Sequence, residues 1–358
     1  PIGLNSTVNF AESPETVFDI VREVSPHVFT AVPRVWEKVY SRVAIMAQEG
    51  TWLGKLAYRS AVATGMRRVS YIEQGKPVPL ATRLAYAFWD FMVLSNLRRM
   101  LGFDRLRRGT TGAAPISPDL LRWYAAVGIT VLEGYGMTES SGVISLNLPD
   151  ECKIGSIGKV VPGGEVRIAP DGEIQFRGGN VFKGYWNKPD KTAETITEGG
   201  WLCTGDIGRI DNEGFLTITG RVKDIIITAG GKNITPAEIE NRLKFSPYIS
   251  DAVVIGDKRK FLTCLIMIDQ ENVEKFAQDN RVPFSNFKSL CAAKEVRDLI
   301  AGVVEETNRE FARVEQIKDF RLIDVLLTAE DDELTATMKL KRSFVEQKHK
   351  KLIDEMYG

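Results

Sequence analysis

Between Ser117 and Gly136 the chain reads as a helix, a glycine stop, a short apolar strand and a tyrosine bracketed by glycines. No other stretch constrains the fold as much. Ser117-Pro118 sets a hydroxyl cap before a proline suited to the first helical position. Leu120, Leu121, Tyr124 and Ala125 then share one face, and Gly128 ends the run. Residues 129–132 follow as a buried strand, so Gly134-Tyr135-Gly136 is expected at its carboxyl end. Ligands bind at that edge in open α/β sheets.

At 358 residues the chain exceeds one ordinary core and suits two or more domains. Over 155–220 the pattern changes to short β-rich runs punctuated by glycine turns, such as Gly172-Glu-Ile-Gln-Phe-Arg177 and Gly214-Phe-Leu-Thr-Ile-Thr219. After Lys223 it becomes α+β. A helix begins at Thr235-Pro236-Ala-Glu238 with capping-box spacing, strands are expected at 251–255 and 261–268, and a long helix at 294–313 turns Val296, Ile300, Val303, Val304 and Phe311 to one side. Another helix start is marked by Ser13-Pro14. The expected organisation is a larger domain (1–222), made of an open α/β region (1–150) and a β-rich subdomain (151–219), followed by a smaller α+β domain (223–358), with the boundary at 220–224.

Lys+Arg and Asp+Glu balance at 47 each, so no global field favours nucleic acid. Cys152, Cys203, Cys264 and Cys291 form no C-x-x-C pair, which points to reduced thiols and a cytoplasmic setting rather than a disulfide framework. With only His27 and His349 besides, no zinc site is expected. No apolar run reaches the ~20 residues that span a bilayer, and the nearest, 84–101, is broken by Asp90. Arg98, Arg99, Arg105, Arg107 and Arg108 close that Trp/Phe-rich stretch. It reads either as a peripheral membrane-surface helix or as a partly buried helix with a solvated basic end.

Several constellations carry chemistry. Glycines around Tyr135 let the backbone turn tightly about a ligand while the ring offers a flat face to a purine. Thr138 and Glu139 follow, a hydroxyl for a phosphate and a hard carboxylate for Mg2+; a helix-capping Thr-Glu after a glycine turn has the same spelling. In Thr204-Gly205-Asp206 a carboxylate presented from a tight loop can accept both hydrogen bonds of a ribose diol, or be an ordinary turn aspartate. Thr110-Thr-Gly-Ala-Ala-Pro115 is small enough to lie against a planar base. Arg221 offers a donor fork for ribose or phosphate oxygens, and Lys223 stands where a hinge would sit, although both also suit a charged surface loop. Gly230-Gly231 would let a thin chain such as pantetheine pass close to the backbone, as would any double-glycine turn. Lys339, in Leu334-Thr-Ala-Thr-Met-Lys-Leu-Lys-Arg342, can serve as a mobile charge on a transferring phosphoryl group or be simply solvated.

Taken in order, Gly134-Tyr-Gly-Met-Thr-Glu139, Trp201-Leu-Cys-Thr-Gly-Asp206, Gly220-Arg-Val-Lys-Asp224 and Thr337-Met-Lys-Leu-Lys-Arg342 resemble the adenylate-forming superfamily of acyl-CoA synthetases, luciferase and adenylation domains. With Val32-Pro-Arg-Val-Trp36 and Phe344, the likeness is to its long-chain fatty acid CoA ligase branch. The resemblance implies an α/β large-domain remnant with a small β unit, followed by a mobile α+β lid domain. It implies an acid–thiol ligase of lipid metabolism that uses ATP, Mg2+ and CoA to convert a long-chain fatty acid through acyl-AMP to a thioester. Gly112, Ala113, Ala114, Pro115, Gly134, Tyr135 and Gly136 would border the adenine. Thr138 and Glu139 would serve phosphate and metal, Asp206 and Arg221 the ribose, Lys223 the hinge, Gly230 and Gly231 the CoA channel, and Lys339 the adenylation step. Trp36, Phe88 and Trp89 suit core packing or an acyl tunnel. The family's Ser/Thr/Gly-rich phosphate loop would lie upstream of Pro1, so the expectation is a fragment that does not adenylate alone. Ala336 stands where the branch has proline. The alternatives are a relative that adenylates another acid or delivers it to a carrier protein, and a noncatalytic adenylate-binding fragment.

Overall fold

The structure is a computed structural model, and it describes residues 7–12, 16–325 and 341–358. The chain forms two compact units, one of Pro1–Val39, Met46–Tyr135 and Leu146–Gly158, the other of Tyr40–Ile45, Gly136–Ser145 and Lys159–Gly358. The β-rich run and the C-terminal α+β region thus share the second unit.

The first unit is built on parallel strands Val28–Thr30, Arg108–Thr111 and Val131–Met137, the last continuing past Tyr135 into the second unit. Helix Pro118–Ala126 forms as its periodicity requires, burying Leu120, Leu121, Trp123, Tyr124 and Ala126. Its proline takes the first turn, but the Ser117 hydroxyl makes no capping bond; the backbone carbonyl of Ser117 receives the Leu121 N–H instead. The strand runs through Gly134-Tyr135 to Met137 rather than stopping at Leu132, because extended glycines keep their places in a ladder when neighbours approach closely. Trp36 is fully buried among Phe29, Phe103 and Tyr124, and the Tyr124 hydroxyl donates to its carbonyl at 2.6 Å. Of the two roles open to Trp36, core packing is the observed one.

In the second unit, strands Gly164–Ile168, Glu173–Gly178, Leu202–Ile210 and Leu216–Arg221 form an antiparallel sheet around Ile174, Phe176, Leu202 and Leu216. A further sheet orders Ile249–Ile255, Leu262–Ile268 and Ile317–Leu322, the first pair antiparallel and the second parallel. Every residue of its central strand is buried, as two covered faces demand. Cys264, Ile266 and Ile268 face a core shared with helices Pro236–Leu243, Gln270–Asp279 and Lys294–Asn308, whereas Leu265 meets Val345, Ile353 and Met356 from the last two helices. Thr235 precedes its helix without the side-chain cap expected from its spacing. The long helix ends at Asn308, short of residue 313, and the Asn308 side chain instead clasps Ile317 through both its backbone N–H and carbonyl.

Candidate adenylate site

In the first unit, Gly112 leaves the carboxyl end of strand Arg108–Thr111, whose Thr111 is in register with Glu133 on the next parallel strand. A Cβ on Gly112 would lie 2.8 Å from the Gly134 carbonyl oxygen, so the two glycine segments touch backbone to backbone and tolerate no side chain between them. Ala113 is held at φ 66°, a conformation disfavoured for a residue with a Cβ; strain of this kind clusters at ligand sites. The buried Thr111 hydroxyl has no hydrogen-bond partner. An orphaned donor at the carboxyl edge of a parallel sheet is what a bound polar ligand would satisfy. Ala114 and Pro115 complete the loop before helix Pro118–Ala126. Glu133, immediately before Gly134, has its carboxyl pushed up to about 8 by burial, and the Cys152 thiol is raised to about 11, first by desolvation and then by the Glu133 charge.

In the second unit, Gly136 allows a still closer approach, since a Cβ there would fall 1.8 Å from the Gly142 carbonyl. This crossing braces the short turn Thr138–Ser140, with the buried Ser140 hydroxyl bonded to the carbonyls of Met137 and Gly142. Thr138 is exposed. Glu139 accepts a 2.6 Å hydrogen bond from the Tyr185 hydroxyl, and its carbonyl accepts the Phe182 N–H at 2.8 Å. That bond to Glu139 is the main cause of the raised Tyr185 pKa. Phe182 and Tyr185 meet edge to face, so the pair holds the carboxylate in one place. Sequence reasoning missed Tyr185; the cue was its cluster with Phe182 and Trp186 after a glycine pair.

Asp206 lies in strand Leu202–Ile210, not in the loop expected from its glycine neighbour. The left-handed Gly205 kinks the strand there, at φ 72°, and its N–H is held by the Glu173 carboxylate at 2.8 Å. In the antiparallel register Asp206 faces Arg221, and the two pair at 3.0 Å. The Asp206 side chain is 13% exposed and that of Arg221 62%, so a largely buried carboxylate and a solvent-facing guanidinium sit side by side. Lys223 occupies the turn Val222–Asp224 that follows. Gly230 and Gly231 lie in the turn joining strands Ile226–Ile227 and Asn233–Ile234; Gly231 has φ 77° and open space about it, so turn geometry already accounts for the glycine. Lys339, with Ala336 and the rest of its segment, lies outside the described residues, as does Ser13-Pro14. Just beyond it, Arg342 is tied to the Glu240 carboxylate and the Val254 carbonyl.

Family comparison places the chain: it belongs to the AMP-binding enzyme family. Residues 3–186 match the AMP-binding enzyme model and residues 223–358 the model of its C-terminal domain. Among curated relatives, a long-chain-fatty-acid–CoA ligase, FadD15, of Mycobacterium bovis is 38% identical over 98% of this chain and 58% of its own length. Another, ACSBG2 of Gallus gallus, is 35% identical over 100% of this chain and 50% of its own. The chain therefore spans a little over half the length of the curated relatives it matches. The adenylation domain of a carboxylate reductase from Mycobacterium chelonae superposes with a TM-score of 0.70 at 19% identity, covering 97% of this chain and 49% of that one, a likeness of fold.

Proposed function

We propose that this chain supplies the adenylate-binding edge and the C-terminal domain of a long-chain fatty acid CoA ligase. The observation that carries the reading is the pair of glycine crossings, Gly112 against Gly134 and Gly136 against Gly142, which leave bare backbone on either side of Tyr135, in a chain whose curated relatives over nearly its full length are fatty acid ligases.

The proposed roles follow from the donor set. Gly112 to Pro115 and Tyr135 border the adenine, and Thr111 offers its hydroxyl to the ligand. Asp206 accepts from the ribose hydroxyls, with Arg221 alongside as a donor fork. Mg2+ fits a single protein carboxylate here, because that ion keeps water and phosphate as most of its ligands; Glu139, fixed by Tyr185, would hold it with Thr138. Among the described residues no cluster of three His, Cys, Asp or Glu forms a dedicated metal cage. When bound, the ion supplies charge neutralisation on the phosphates of ATP. The fatty carboxylate attacks the α-phosphorus, pyrophosphate leaves, and the acyl-AMP is then attacked at its carbonyl carbon by the CoA thiol, which loses its proton as AMP departs. Lys339 is assigned to the first step as a charge on the α-phosphate, and Lys223 to a backbone rotation between the steps. The Gly230–Gly231 turn remains the candidate for the thiol approach, in a cytoplasmic enzyme.

The test is product analysis of the reading frame extended to the length of its relatives, with ATP, Mg2+, CoA and an acid panel. Long aliphatic acids should give acyl-CoA and AMP at the highest kcat/KM. An optimum at acetate, an aromatic acid or an amino acid would overturn the substrate assignment, and transfer to a carrier protein but not to CoA would overturn the acceptor.

A further inference from the structure

Helix Leu80–Trp89, continued through a wide π-helical turn at Asp90–Leu94 into Ser95–Met100, is built inside out. Its exposed side carries Leu80, Leu84, Phe88, Phe91 and Met92, at the spacing of one helical face, with Phe91 77% exposed. Two of its polar residues turn the other way: Thr82 is buried, and Asp90 is held by Arg98, which also donates to the Val127 carbonyl. Helix Trp52–Glu73 runs antiparallel beside it, as the Arg68 guanidinium over the Tyr86 ring and the short connection between them require. Its first turn exposes Trp52 at 73% with Leu53 and Leu56. These eight large apolar side chains exposed on the two helices, five of them on one helical face, exceed the scattered exposure normal for a surface.

The charge around them is one-sided. Residues 51–108 contain eleven Lys and Arg against three Asp and Glu, in a chain that balances at 47 each. Arg59, Arg83, Arg99, Arg107 and Arg108 are exposed. Convex helical ridges with aromatic tips and a cationic border fit a deformable anionic surface better than a complementary protein groove. We propose that these two helices dock this protein in plane on an anionic lipid bilayer, with Phe88, Phe91 and Trp52 entering the headgroup–acyl boundary and the arginines meeting lipid phosphates. No helix among the described residues is long and apolar enough to cross a membrane. This inference is independent of the ligase reading and is read without any substrate.

The experiment is flotation of the chain with phosphatidylcholine vesicles, with or without about 30 mol% phosphatidylglycerol. Binding should require the anionic lipid and weaken with salt. Phe88→Ser with Phe91→Ser should lower the partition coefficient roughly a hundredfold, from the lost apolar insertion, with little change in Tm, since Phe91 is 77% exposed and Phe88, which meets the Trp89 ring edge to face, 55%. Quenching by brominated acyl chains should fall in Trp52→Phe. Phe91→Ser alone should lose roughly tenfold, which keeps the test valid should the double variant misfold. Flotation unchanged by these substitutions, flotation indifferent to lipid charge, or no flotation would each overturn the proposal. So would a concentration-dependent dimer abolished by the same substitutions, which would assign the face to a second copy.

Discussion

Replacing Glu133 by Gln should stabilise the protein above neutral pH and leave it unchanged in acid. The carboxyl sits next to Gly134 on a central strand, and burial raises it from 4.5 to about 8. In the folded chain it keeps its proton until pH approaches 8, whereas unfolded it ionises near 4.5. Between those values folding takes up a proton, so the group's contribution is fully present below about pH 4.5 and is lost as pH rises through about 8. A shift of that size corresponds to a ceiling of about 5 kcal/mol at 1.36 kcal/mol per unit, and partial exposure of the side chain reduces it to about 2 kcal/mol. Glutamine mimics the neutral acid in shape and polarity. Urea unfolding at pH 5, 7 and 8.5 should therefore give curves that coincide at the lowest pH and separate as pH rises, the variant being about 2 kcal/mol more stable at the highest. A constant difference at all three values, or a variant less stable at pH 8.5, would refute the argument that burial dominates this carboxyl.

Glu240→Gln should destabilise the C-terminal region by about 3 kcal/mol, because Arg342 would lose its partner at a site where both side chains are largely buried; chemical denaturation would show this, and an effect under about 0.5 kcal/mol would mean that water already screens the pair. Asp206→Ala should weaken nucleotide binding by about 2 to 4 kcal/mol in calorimetry while the fold survives, and unchanged affinity would remove Asp206 from the ribose site. Lys339→Ala in the extended protein should slow acyl-AMP formation about a hundredfold and spare thioester formation from preformed acyl-AMP, as expected for a charge that acts on the α-phosphate; equal loss in both half-reactions by single turnover would make Lys339 structural.

Periodicity revealed the elements whose environment is uniform. Helix Pro118–Ala126 and the buried strand Leu262–Ile268 follow from their apolar spacing alone, since one covered face or two leave no other reading. Local signals failed where a partner far along the chain decides the outcome. Ser117 and Thr235 spell caps, yet their hydroxyls make no capping bond. Gly134 and Gly136 spell a turn, yet they serve an extended strand that other backbone segments cross. Asp206 spells a loop carboxylate, yet it stands in a ladder opposite Arg221, a pairing 15 residues distant that sheet register alone fixes. Tyr185 was silent in the sequence because its role depends on reaching Glu139, 46 residues earlier. Helix Leu80–Trp89 was legible as apolar but not in its facing: the sequence reads as a membrane-surface helix or as a partly buried one with a solvated basic end, and only the structure shows Leu80, Leu84 and Phe88 exposed.

The central claim is that a fatty carboxylate displaces pyrophosphate from the α-phosphorus of ATP, and oxygen transfer tests it most directly. Palmitate labelled with oxygen-18 in both carboxylate positions should be turned over by the extended protein with ATP, Mg2+ and CoA, and the nucleotide product examined by mass spectrometry. The account predicts AMP carrying one labelled oxygen per acyl-CoA formed, because the bridging carboxylate oxygen stays with phosphorus when the thiol attacks carbon. Unlabelled AMP, or label in inorganic phosphate with ADP as the nucleotide product, would contradict it.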